Sequence, residues 1–440
     1  MNRKRGNVSA ERAPKKAAKI IPEQQDDQDQ EIVKASESED AFAQSLGSDG
    51  NSEGVDNDTN FGLYVGTEMG VLKGVCFEGG VPIAKNYKFT GQGLKKKAPG
   101  VKSLTWADQD EKELLVCFSN HVVKTYNTKL KCFTRQVQLK FEEEDASVVG
   151  LCSHDARNYV VGLENGTVGM WNCLESEITL KFRTYNDNDD GLKRNMEKIR
   201  QCAADKSFYA TGGRENDLKI WNLSSEKPEE PFFKAKNLPH DFLDLRVPVW
   251  IQDLTFLPRT NELVATCTRH GQVRLYDVRA SQRSVSNVQF VDHAIMSISS
   301  TMNDRQVVVG TAKGEAGLYD LRNPGKEKLV KKFHDFSGSI RSMVASPELP
   351  YVVSCGLDRH VYVHNLTLRT PVKKLYVQQE LNCIVVSKSF TLEAKDATRS
   401  SVLNKRNVGE KAEGDWANIP PDVLFHADSP PKKIRKSITL

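Results

Sequence analysis

The run FFKAKNLPHDFLDLRVPVWIQD, residues 232–253, holds the densest mixture of recognition chemistry in the chain. Lys234, Lys236 and Arg246 can donate charge-assisted bonds to carboxylate or phosphate, Asn237 can add amide bonds, and Asp241 and Asp244 can answer a cation. Interleaved with them are Phe242, Leu245, Val247 and Trp250, side chains of the kind that anchor partners. The competing reading makes the run an outer strand and a buried connection, with Trp250 filling core. Reactive spacings are missing elsewhere. GTEMGVLKG (66–74) lacks the Gly-Lys-Ser/Thr ending of a phosphate loop and falls on a hairpin instead of a strand-to-helix turn. The nine histidines occur singly, without H-x-E, H-E-x-x-H or Cys-His grouping, and there is no G-x-S-x-G elbow. These residues predict a binding scaffold and not an enzyme, with no metal, no cofactor and no small-molecule substrate.

What positions that run is an internal repeat of about 48 residues. Its best copies are YATGGRENDLKIWNL (209–223), LVATCTRHGQVRLYDV (263–278), VVVGTAKGEAGLYDL and YVVSCGLDRHVYVHNL (351–366). Seven copies align without gaps, putting Val75, Tyr126, Trp171, Trp221, Tyr276, Tyr319 and His364 in one column, at spacings of 51, 45, 50, 55, 43 and 45. Large apolar groups at that column predict core packing. Nine residues earlier stands a small residue: Gly66, Cys117, Gly162, Gly212, Cys267, Gly310 or Cys355. Close approach of sheets requires one. Directly after the column comes Asn or Asp in six copies, a side chain that can accept a backbone N–H two positions on and turn the chain. Each copy thus reads as strand, tight turn, strand, turn.

A second element precedes six of the copies: VKSLTWA, SVVGLCS, IRQCAAD, IQDLTFL, IMSISST and IRSMVAS. The first copy has none in front of it, while LNCIVVS (381–387) follows the last copy with nothing behind it. Seven and seven match only if the chain closes on itself. The expected fold is therefore all-β, a seven-bladed WD-type β-propeller of four-stranded blades, with residues 381–387 supplying the innermost strand of the blade begun by Leu63 to Phe77. Such closure also pairs two otherwise exposed sheet edges.

Charge divides the chain into three parts. Residues 1–20 carry seven basic side chains and one acid, and residues 21–60 carry twelve acids and one Lys. That composition predicts a disordered, basic-then-acidic tail over 1–60. Residues 389–440, polar and with Pro420-Pro421 and Pro430-Pro431, read as a second, flexible tail. Overall net charge is +4, but the body at 61–388 retains about +7 once both tails are set aside. Lys95-Lys96-Lys97, Lys193-Arg194, Lys331-Lys332 and Lys373-Lys374 could meet RNA phosphates, or each could be ordinary solvated surface. No apolar run reaches the ~18 residues a membrane span needs. Nine scattered cysteines without C-x-x-C suit buried thiols in a reducing compartment.

VGTEMGVLKG, TGGRENDLKIW, KAKN followed by LDLRVPVW, SCGLDRHVYVH and ELNCIVVS together resemble the WD repeat-containing protein 74 family, over about 61–388. The KAKN to LDLRVPVW stretch is the most distinctive, because generic WD repeats lack it. The departures are equally plain: Trp-Asp never occurs as a dipeptide, the inter-blade Gly-His is missing, and only Asp358 fills the usual turn aspartate. The resemblance implies a factor that joins precursor particles of the large (60S) ribosomal subunit, supports pre-rRNA processing and is later removed by an AAA-type ATPase. It implies residence in the nucleus and nucleolus.

The tail end SPPKKIRKSITL carries Lys432, Lys433, Arg435 and Lys436, the short basic pattern read by nuclear import receptors. Trp416 stands alone in a polar stretch, either a docking hook or incidental packing. Two other functions remain open. YDVR (276–279) and YDLR (319–322) resemble the ending by which some propellers serve as substrate receptors of cullin-type ubiquitin ligases, although the same residues can simply turn the chain. A histone or peptide reader would use the central channel, and a ring of carboxylates around it would favour that.

Overall fold

A computed structural model describes residues 61–77, 83–87, 99–141, 146–155, 157–173, 178–185, 193–240, 242–322, 329–346, 349–390 and 392. Asp241, Lys95-Lys96-Lys97, Trp416 and the Lys432, Lys433, Arg435 and Lys436 cluster lie outside these residues, as do almost all of the two expected tails.

The described chain forms seven four-stranded antiparallel sheets. Six are simple meanders, covering 101–138, 148–183, 198–234, 251–289, 295–333 and 340–376, and are called blades 2 to 7 here. Blade 1 joins Leu381–Val386 to Leu63–Thr67, Leu72–Cys76 and Ile83–Tyr87. Leu63 pairs with Val386 and Val65 with Ile384, so the last strand of the chain completes the first sheet. Each innermost strand neighbours those of the blades before and after it, and Leu381–Val386 touches the inner strands of both blade 7 and blade 2. The ring is closed, and the fold is the seven-bladed β-propeller that the repeat predicts.

The repeat column is a register column. Val75, Tyr126, Trp171, Trp221, Tyr276, Tyr319 and His364 all sit on third strands, paired with Leu63, Leu114, Tyr159, Tyr209, Val264, Val307 and Val352 of the second strands. All seven are buried. Burial follows distance from the axis: in blade 7, Tyr351–Gly356 is buried throughout, whereas the outer strand Pro371–Tyr376 is half-buried or exposed along its length.

The small-residue column lets neighbouring blades touch. A Cβ added at Gly66 would lie 2.5 Å from Val101 Cγ1, and one at Gly310 would lie 2.8 Å from Ile340 Cγ2, each on the inner strand of the following blade. Asn127, Asn222, Asp277, Asp320 and Asn365 each accept the backbone N–H two residues on, at 2.8–3.0 Å, as a turn-initiating side chain should. Asn172 donates through its Nδ2 to Asn158 Oδ1 at 3.2 Å.

Closure also has an apolar component. One buried cluster unites Leu63, Val65 and Phe77 from the start of the ring with Val353 and Val363 of blade 7 and Leu381, Ile384 and Phe390 from its end. Leu381 has no exposed surface, and burying such a side chain contributes about 1.5–3 kcal/mol.

Candidate partner-binding surface

In a meander, the connector leaving an outer strand emerges at the same end of the blade as the turn between the second and third strands. The connector from blade 4 to blade 5 (235–250), the turns at Arg214-Glu215 and Arg269-His270-Gly271, and the preceding connector around Lys193 to Glu197 therefore share one face of the ring.

Phe233–Lys234 is only a two-residue strand, with Phe233 opposite Ile220 and Lys234 opposite Lys219. Ala235 N–H extends it by donating to Leu218 O at 2.9 Å, and Lys236 N–H crosses to Gln282 O of blade 5 at 2.8 Å. Lys234 and Lys236 are exposed and form no ion pair among the described residues. Asn237 is turned inward, where its Nδ2 donates to Val247 O at 2.6 Å and its Oδ1 accepts Leu238 N–H at 2.8 Å. That clasp closes the neck of the excursion.

At the tip, Phe242, Leu243 and Leu245 are 92%, 62% and 58% exposed. Asp244 adopts a left-handed backbone (φ 59°), and its Oδ1 accepts from His240 Nδ1 at 2.8 Å. An apolar tip held by polar groups is how a loop presents an anchor to another surface.

At the base, two guanidinium groups lie over the ring of Trp250, with Arg214 Cζ 4.8 Å and Arg269 Cζ 4.4 Å from its centroid. Its indole Nε1–H donates to Glu197 Oε1 at 3.2 Å. Glu215 is the hub beside it. Its carboxylate pairs with Arg246 at 2.7 Å and accepts Val249 N–H at 3.3 Å, while its own N–H donates to Val249 O at 2.9 Å. Arg246 is therefore half-exposed and already neutralised within the chain. Each such cation–π contact contributes about 0.5–1 kcal/mol at a wet site, so the two together help hold the base of the loop.

Sequence reasoning found Trp250 but missed Arg214, Arg269, Glu197 and Glu215. A signal was present: Arg214 and Arg269 both stand two positions after the small-residue column, in successive repeats.

Among the described residues the basic pairs do not gather into one patch. Lys193 and Arg194 lie on the connector next to this surface, but Lys331-Lys332 and Lys373-Lys374 are on the outer strands of blades 6 and 7. Lys332 pairs with Glu315 at 3.0 Å, Lys331 Nζ bonds Thr367 O, and Lys374 stacks over Tyr362. Burial pushes the thiols of Cys117 and Cys383 up to about 12 and that of Cys152 up to about 11, which keeps these three protonated at neutral pH.

The WD domain, G-beta repeat family matches residues 327–365. That interval takes in the outer strand of blade 6 and ends with the third strand of blade 7, one repeat offset from one blade, as ring closure by a terminal strand requires. Over 333 residues the chain is 33% identical to WD repeat-containing protein 74 of Bos taurus, covering 74% of this chain and 80% of that protein. It is 32% identical over 363 residues to WD repeat-containing protein 74 of Mus musculus, covering 81% and 89%. It is also 26% identical over 328 residues to Ribosome biogenesis protein NSA1 of Meyerozyma guilliermondii, covering 65% and 78%.

Proposed function

Because the chain belongs to the WD repeat-containing protein 74 family, we propose that it acts in ribosome biogenesis as a non-catalytic scaffold on precursors of the large subunit, in the nucleus and nucleolus. The observation that carries this reading is the clasped loop 237–250. It offers Phe242, Leu243 and Leu245 to a partner, is flanked by the exposed Lys234 and Lys236, and stands on Trp250 with Arg214 and Arg269 over its ring. Apolar anchors ringed by cations suit a surface made of both protein and rRNA phosphate. The propeller at 61–388 is the docking body in this reading, and 1–60 and 389–440 carry regulatory and address functions. Lys432, Lys433, Arg435 and Lys436 engage a nuclear import receptor, and an AAA-type ATPase removes the factor once pre-rRNA processing has advanced.

Specific observations weigh against the two other readings. The cavity among the inner strands of blades 1, 2, 3, 4 and 7 is lined by Lys102, Lys198 and Arg200 and by no carboxylate, a lining that repels a basic histone tail. In YDVR and YDLR, Asp277 and Asp320 cap the following turn, Arg279 pairs with Glu262 and Arg322 with Asp320, so both motifs are satisfied within their own blades.

Affinity purification of the tagged chain at native salt tests the assignment. Recovery of pre-rRNA with large-subunit ribosomal proteins is expected, whereas a cullin with its adaptor, or histones without pre-rRNA, would overturn it.

A further inference from the structure

We propose that the axial channel is an anion site that accepts a Glu or Asp side chain from an acidic peptide of a partner protein. The inner strands Val101–Trp106, Lys198–Gln201, Ile340–Ala345 and Leu381–Val386 bring Lys102, Ser103, Lys198, Arg200, Ser342 and Asn382 to one cavity of about 210 Å³. Every one of these six side chains can donate a hydrogen bond, and none is acidic.

Arg200 is already satisfied. Its Nε and Nη2 donate to Asp253 at 3.2 and 3.0 Å, and Asp253 is further held by the N–H groups of Leu254 (2.9 Å) and Ile298 (3.3 Å). Neither Lys102 nor Lys198 forms an ion pair among the described residues, and at the mouth Glu68 is engaged by the Asn382 amide. Three cations, Lys102, Lys198 and Arg200, thus line the cavity, against the single carboxylate of Asp253, which is bound to Arg200 and also draws on Lys198. Lys102 and Lys198 converge from different blades: the Cys383 thiol on blade 1, held high by burial, is pulled downward by both Lys198 and Lys102. Burial, and then repulsion from Arg200, lower the pKa of Lys198 in spite of the attraction of Asp253, an electrostatic cost that a bound anion would relieve.

Size selects the ligand. The cavity is smaller than the roughly 300 Å³ at which small-molecule sites begin, and holds the equivalent of about seven waters. A carboxylate with part of its hydration fits, whereas a nucleotide with its base does not. The channel differs in its lining from the 233–250 surface, so the two are separable by mutation.

Fluorescence anisotropy of a labelled Glu-rich decapeptide with the full chain tests the proposal. The peptide should bind and should weaken as salt rises. Lys198→Met and Lys102→Glu should each lower its affinity at least tenfold, the second being a reversal at an exposed group that leaves the fold intact. Lys234→Ala should leave peptide binding unchanged. Equal affinity in the wild type and both channel variants would overturn the proposal. So would displacement of the peptide only by single-stranded RNA, or a response to inorganic phosphate with none to the peptide.

Discussion

His364 occupies a column that holds Val, Tyr or Trp in the other six blades, and it should make the propeller acid-labile. It is 1% exposed, its Nε2–H donates to His334 O at 3.2 Å, and its ring packs against Phe333 and Phe336. Burial lowers its pKa from 6.5 to about 4. The folded pKa lies below the unfolded one, so this contribution is fully present above pH 6.5 and is lost as pH falls through the window down to about 4, where the unfolded chain binds the proton first. Linkage over that window gives about 2 kcal/mol lost between pH 8 and pH 5, and about 3 kcal/mol once both states are protonated. Urea unfolding followed by tryptophan fluorescence at pH 8 and pH 5 measures this directly. In His364→Tyr and His364→Phe, which install the kind of side chain the column carries elsewhere, the loss between the two pH values should shrink by about 2 kcal/mol. An identical pH dependence in the wild type and both variants would refute the reasoning, because carboxylates elsewhere would then account for all of it.

Leu381→Ala removes apolar contact from the cluster that joins the two ends of the ring, and should cost about 2–5 kcal/mol in urea unfolding. A loss no larger than that of an exposed control such as Leu130→Ala would deny ring closure its energetic role. Trp250→Ala should leave global stability within about 2 kcal/mol, since only two cation–π contacts and one indole bond are lost, yet hydrogen exchange should rise sharply across 237–250. Unchanged protection there would show that the Asn237 clasp holds the loop without those contacts.

The ring was legible because its signals are local and repeat. The column from Val75 to His364, the small residues nine positions before it and the Asn or Asp after it each report one geometric demand, met seven times over. Strand count then forced closure through residues 381–387. Legibility failed where pairing departs from spacing. IRQCAAD looks like the counterpart of IRSMVAS, yet Ile199 pairs with Thr211, directly before the small residue, as Met343 pairs with Ser354. Met196, not Ile199, therefore takes the place of Ile340. Most inner strands carry a bulge at this point, Val101/Ser103 and Ile340/Ser342 among them, and a one-residue bulge is invisible to a pattern of apolar types. The surface at 233–250 was half legible. Its own residues announced cations and aromatics, but the guanidinium groups that hold Trp250 arrive from turns on two different blades, and Asn237 and Arg246 proved to be occupied within the chain.

Sedimentation of the tagged chain with large-subunit precursors bears most directly on the loop as the docking element. Joint Lys234→Ala, Lys236→Ala and Phe242→Ala substitution, in a protein whose urea midpoint is unchanged, should move the factor out of the particle fractions and into the free pool. Retention of the triple variant in those fractions at wild-type levels would contradict the account.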